Sequence, residues 1–127
     1  MTDHAQRMDD EALARGCVKI CEEHKALDIK LFDVRGTSMV TDFYLICSGS
    51  SEPHIRALSD YIGQGMKEEG LPVLHLDGAP SSRWIVMDFG IILVHLFHPD
   101  VRGFYEIEKL IGEEKLILEV NQDDTRV

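Results

Sequence analysis

Ser82-Arg83-Trp84-Ile85-Val86-Met87-Asp88-Phe89-Gly90-Ile91-Ile92-Leu93-Val94-His95-Leu96-Phe97-His98-Pro99 is the stretch that decides the fold. Apolar and β-branched residues fill it, and Gly90 interrupts it near the middle. Two strands joined at Phe89-Gly90 are the expected structure, because glycine accepts the positive φ that a two-residue hairpin loop needs. That loop sets a register. Asp88 faces Ile91, Val86 faces Leu93 and Trp84 faces His95 on one side of the sheet. Ile85 and Met87 pair with Val94 and Ile92 on the other. Both sides are apolar, so both need covering. Another part of this chain serves for one; a partner molecule is a candidate for the other.

Working outward, Leu13, Cys17, Ile20 and His24 form one stripe of a helix capped by Asp9 or Asp10 and running to about Lys25. Residues 1–9 before it are expected to be a disordered leader. A strand follows near Asp28 to Val34, then a polar connection at Arg35-Gly36-Thr37-Ser38, then a strand from Thr41 to Ser48. Ser51 is placed to cap a second helix with Pro53 in its first turn. Ile55, Leu58, Ile62 and Met66 are its apolar stripe, and Gly70 ends it. Leu71 to Leu76 reads as a third strand and Asp77 to Ser82 as a loop. After the hairpin, Pro99 and Asp100 open a last helix with Phe104, Ile107 and Ile111 on one side, stopped by Gly112. Residues 113–127 read as an acidic tail with one apolar patch, Leu116-Ile117-Leu118. The expected fold is a single α/β domain over residues 10–112, with a mixed sheet of about five strands and flanking helices.

The chain has 127 residues, room for one core. Its 44% hydrophobic content is that of a folded protein. No apolar run approaches the ~20 residues of a membrane helix, and the polar start lacks the pattern of a secretory signal. The three cysteines make no even framework, which points to a reducing, cytoplasmic setting. Thirteen basic against 23 acidic residues leave a net charge of −10. That argues against nucleic acid as the main contact, where each neutralised phosphate needs a cation. It suits a basic protein partner, although an acidic surface alone more often serves plain solubility.

Several residue groups could carry chemistry. Gly49-Ser50, where a strand hands over to a helix, is the kind of turn that approaches a phosphate. Metal-dependent phosphoryl chemistry at such a turn also needs paired carboxylates. Asp77 and Asp88 each stand alone on their segments, so Gly49-Ser50 reads as a tight turn and cap. His95 and His98 with His75 or Asp88 would make a poor metal set, since strand residues three apart point to opposite faces. His95 instead reads as a hydrogen-bonded neighbour of Trp84, and His98 as a strand-end residue. Cys17, Cys21 and Cys47 read as packing groups. No metal and no cofactor is assigned. Trp84 has two readings, a core residue or an exposed anchor, and the residues alone leave both open.

The run Trp84-Ile85-Val86-Met87-Asp88-Phe89-Gly90, then Val94-His95-Leu96-Phe97-His98-Pro99, then Val101 to Gly112 resembles the ribosomal silencing factor family, also called Iojap. Thr41 to Ser51 and His54 to Asp60 fit the same family, so the resemblance covers roughly Ala12 to Gly112. It implies a nucleotidyltransferase-like fold, with an enzyme on that fold as the alternative function. It implies a non-enzymatic role: binding large-subunit ribosomal protein fourteen, blocking subunit joining and lowering translation. It also implies that Trp84 and Ile85 contact the partner, with Met87, Asp88 and Tyr105 as further candidates. A homodimer built on the hairpin face is a third possibility. The chain departs from the family at Ile91, where an acidic residue is usual, and at Pro53, where Arg or another polar residue is common.

Overall fold

The computed structural model describes residues 3–121 apart from Pro80 and Ser82, and side chains over that range except for 3–9, Phe104 and Tyr105. Helix α1 (Asp3–Glu23) leads into strands β1 (Leu27–Asp33) and β2 (Phe43–Ser48). Helix α2 (Glu52–Glu68), strand β3 (His75–Ala79) and the hairpin β4 (Trp84–Asp88) and β5 (Ile92–Phe97) follow. Short helices α3 (Pro99–Tyr105) and α4 (Ile107–Ile111) precede the last strand, β6 (Leu116–Val120). The six strands form one mixed sheet in the order β3-β4-β5-β2-β1-β6, in which only β2 and β5 run parallel.

The second helix forms as its sequence dictates. The Ser51 side chain accepts the His54 N–H at 3.2 Å, satisfying one of the free donors of the first turn. Ile55, Leu58, Ile62 and Met66 are all buried. They meet Ala14, Cys17, Val18 and Cys21 of α1 and the sheet residues Ile29, Leu31, Leu45, Ile85, Met87, Val94 and Leu96 in the main core. Cys21 and Cys47 lie in it with sulfurs 4.0 Å apart, and all three cysteines are free and buried. Both long helices therefore cover one face of the sheet. Across the other face, a smaller core joins Phe32, Val34, Ile46 and Phe97 to Val101, Ile107 and Ile111 of the short helices.

The hairpin turn sits one residue later than the sequence suggests. Phe89 N–H donates to the Ile92 carbonyl at 3.0 Å, so Gly90, with φ 90°, and Ile91 make the loop. Asp88 drives this choice: its Oδ1 accepts the Gly90 N–H at 2.8 Å, which closes the turn from the strand side. Asp88 consequently faces Leu93, Val86 faces His95 and Trp84 faces Phe97. The register moves by two residues, and a shift of two leaves every side chain on its own face. Ile91, the unusual residue of this turn, packs partly against the main core, and its carbonyl accepts from Phe43 N–H at 3.0 Å.

Four further boundaries differ from the expectation. Residues 3–9, expected to be a disordered leader, are the opening turns of α1; Met1 and Thr2 lie outside the described residues. No glycine or proline stands between Asp3 and Asp10, so the helix extends N-terminally past the point where its apolar stripe stops. The third strand is His75–Ala79 instead of Leu71 to Leu76. It is an edge strand exposed along its whole length, so burial imposes no alternation that a reader could find. The last helix is broken at Glu106, whose φ of 50° ends α3 and starts α4. The tail begins with a sixth strand: β6 pairs antiparallel with β1. Leu118 and Val120 pack against the main core and Leu116 against the smaller one, with a register irregularity between Leu31 and Phe32.

A candidate protein-binding face

The face opposite α1 and α2 is only half covered. One half is closed by α3 and α4, which are pinned through Arg102, a residue only 8% exposed. Its Nη1 donates to Ser48 Oγ at 3.1 Å, and its Nε and Nη2 donate to Glu108 Oε2 at 3.2 and 3.0 Å. Lys30 stands 3.6 Å from the same carboxylate. Burial pushes the Glu108 carboxyl up, but the hydrogen bonds and charge of Arg102 outweigh it and hold the group below its ordinary value.

Among the described residues, no helix lies over the other half. Strand register places Trp84, Val86 and Asp88 of β4 beside Leu93 and His95 of β5, and Tyr44 of β2 beside Leu93. Trp84, Val86, Asp88, Leu93 and Tyr44 are all half-buried, which leaves an apolar and aromatic patch partly in solvent. Asp88 and the exposed Asp77 of β3 put carboxylates at its edge.

Trp84 is held in place at the start of β4. Its indole Nε1–H donates to His95 Nδ1 at 3.1 Å, and its ring lies 4.8 Å from that of Phe97. His95 is 7% exposed and stacks on Phe97 at 5.8 Å with an interplanar angle of 8°. Burial holds its imidazole down to about 4, so the ring is neutral at ordinary pH. An indole only donates. Nδ1 is therefore the acceptor, and the ring proton sits on Nε2.

The candidates drawn from the sequence divide by face. Trp84 and Asp88 lie on the open face. Ile85 and Met87, each 2% exposed, point the other way into the main core. Alternation along β4 requires this, since neighbours of Trp84 in sequence cannot share its face; their side chains support the face from behind and do not form it. Tyr105 is the last residue of α3, and its side chain lies outside what is described. Tyr44, Val86 and Leu93 join the face through pairing. Strand alternation alone already grouped Val86 and Leu93 with Trp84; Tyr44 needed the parallel β2–β5 pairing, which no local pattern reveals.

The remaining candidates take structural places. Ser50 N–H donates to His54 Nδ1 at 2.9 Å, and His54 Nε2 contacts the His24 carbonyl at 2.9 Å, which ties the turn before α2 to the end of α1. A side chain at Gly49 would meet Ile55 Cγ1 at 2.8 Å, so glycine permits the close passage of strand and helix. Asp77 Oδ1 accepts from its neighbour Gly78 N–H at 3.0 Å, and Asp88 serves the hairpin turn. His98 caps α3, its Nδ1 accepting from Asp100 N–H at 3.3 Å. Among the described residues, no group of three His, Cys, Asp or Glu side chains is placed to hold a metal ion. Among them, too, no helix is long and apolar enough to cross a membrane.

The α/β domain thus has two helices on one face of its sheet and an aromatic patch partly in solvent on the other. Comparison with known proteins agrees with the motifs that carried the resemblance. A family model described as ribosomal silencing factor during starvation matches residues 7–126, a span that includes β6. The ribosomal silencing factor RsfS of Bacillus subtilis (strain 168) is 34% identical over 109 residues, covering 86% of this chain and 92% of that one. RsfS of Halalkalibacterium halodurans is 33% identical over 106 residues, covering 84% and 91%. A crystal structure of a protein from Chromobacterium violaceum superposes with a TM-score of 0.77 at 25% identity, over 92% of this chain and 98% of that one. The chain belongs to the ribosomal silencing factor family.

Proposed function

We propose that this protein represses translation in the cytoplasm by binding the large ribosomal subunit through ribosomal protein fourteen and sterically blocking the small subunit. The observation that carries the reading is the open half of the sheet. Trp84 stands there half-buried, held by His95 and Phe97, with Val86, Tyr44 and Leu93 further along the same face. A partly exposed tryptophan with a fixed ring makes a strong anchor, since little freedom is lost when a partner covers it. The net charge of −10 and the carboxylates of Asp77 and Asp88 favour encounter with a basic ribosomal protein over encounter with RNA. Steric blocking calls on no catalytic group. Relatives in this family are named as silencing factors, which supports a binding role over an enzymatic one.

The test is sedimentation of the protein with separated ribosomal subunits. It is expected to travel with large subunits and to stay behind with small subunits or naked ribosomal RNA. Salt-sensitive binding to naked RNA, with no need of ribosomal protein, would overturn the reading. A homodimer through the same face would compete with this contact, and sedimentation of the free protein across a concentration series reports it.

A further inference from the structure

Beside Trp84 the open face sinks into a groove of about 450 Å³ between α4 and the sheet. Tyr44, Leu93 and His95 line its sheet side, and Ile107, Leu110 and Ile111 its helix side. Leu110 is 82% exposed, so much of this apolar wall has no cover from the described residues. His95 is the buried polar residue of the sheet side, more than nine-tenths buried. Its Nδ1 is taken by the Trp84 indole, and a neutral ring then carries its proton on Nε2. The two ring nitrogens point to opposite sides of the imidazole. His95 lines the groove, and its Nε2–H has no hydrogen-bond partner among the described residues. A buried donor without an acceptor is costly, and an incoming acceptor relieves that cost.

We infer that this groove receives an apolar side chain of the docked ribosomal protein, and that a backbone carbonyl beside that side chain accepts the His95 Nε2–H. The inference rests on the reading that Trp84 anchors the same partner. Three features select this occupant. Most of the lining is aliphatic or aromatic, with Thr37, Ser38 and Lys115 as further polar members, so it favours an apolar side chain over a cation. The one buried polar group is a donor, so the complementary atom is an acceptor, and every residue of a protein partner brings a carbonyl. The groove is also continuous with the Trp84 patch through a single ring, one nitrogen of which orients the indole while the other meets the partner.

Two substitutions separate this contact from the Trp84 anchor. His95→Asn places an amide oxygen where Nδ1 accepts the indole, and removes the donor at Nε2. Leu110→Ser opens the wall from an exposed position that folding does not depend on. Affinity for purified large subunits is measured for both, beside wild type and Trp84→Ala, with thermal unfolding as the control for folding. Each of the two variants is expected to bind about tenfold more weakly than wild type. Wild-type affinity in either variant overturns the groove contact while Trp84→Ala, if impaired, leaves the anchor reading standing. Should His95→Asn fail to fold, Leu110→Ser decides alone. Wild-type affinity in Trp84→Ala, or no binding by wild type, removes the anchor reading and the groove contact with it.

Discussion

Trp84→Ala is expected to weaken binding to the large subunit by about thirtyfold or more, while the domain stays folded. An aromatic anchor at the centre of an interface commonly contributes ~2 kcal/mol or more. The structure adds detail to that expectation. Trp84 is neither free-standing nor core. Its ring packs on Phe97 and against the smaller core, and its N–H is bonded to His95. Truncation therefore lowers stability as well, but by less than the ~3–5 kcal/mol of a fully buried tryptophan. Binding and thermal unfolding measured on the same variant separate the two effects. A melting temperature lowered by a few degrees with binding lost fits the account. Unchanged affinity in a folded variant would take Trp84 out of the contact.

The second large effect is a loss of stability on mild acidification that belongs to one side chain. His95 titrates near its ordinary 6.5 in the unfolded chain, but burial holds it down to about 4 in the folded one. Between those values the unfolded state binds a proton that the folded state refuses. Stability therefore falls as pH drops below about 6.5, and stops falling from this source once pH passes the folded value near 4. Between pH 7 and pH 5 this amounts to about 2 kcal/mol. The carboxylates of Asp33 and Glu108 act lower down. Their folded values are depressed, so their contribution is intact above the ordinary carboxylate range and is lost only as pH falls further. Urea unfolding at pH 7 and pH 5 isolates the histidine. Wild type should lose about 2 kcal/mol more than His95→Phe over that interval. Equal losses in the two proteins would show that His95 is not held neutral by burial.

The sequence made some of this structure legible, and the rest was hidden for identifiable reasons. The stripe of α2, its Ser51 cap and the facing of the hairpin followed from spacing and turn chemistry, because each depends on neighbours a few residues away. The hydrogen bond of Trp84 to His95 was visible for the same reason, even though the turn lay one residue later than expected and set Phe97, not His95, opposite Trp84. Strand β3 was misplaced because an edge strand exposed on both faces carries no apolar rhythm. Strand β6 was taken for a tail because five residues in an acidic context gain their strand character only from β1. Carrying Ile85 and Met87 to the same face as Trp84 followed the resemblance and set aside the alternation of β4, which buries both beneath α1 and α2. The groove beside Trp84 could not be read at all, since it exists only because Glu106 breaks the last helix and sets α4 against the sheet.

Subunit joining, followed by light scattering, tests the central claim most directly. Large subunits are mixed with the protein before small subunits are added. The account predicts that wild type suppresses the rise in scattering in proportion to its occupancy of the large subunit, and that Trp84→Ala at the same concentration does not. Full joining at concentrations of wild type that saturate the large subunit would contradict it, since the protein would then bind without blocking.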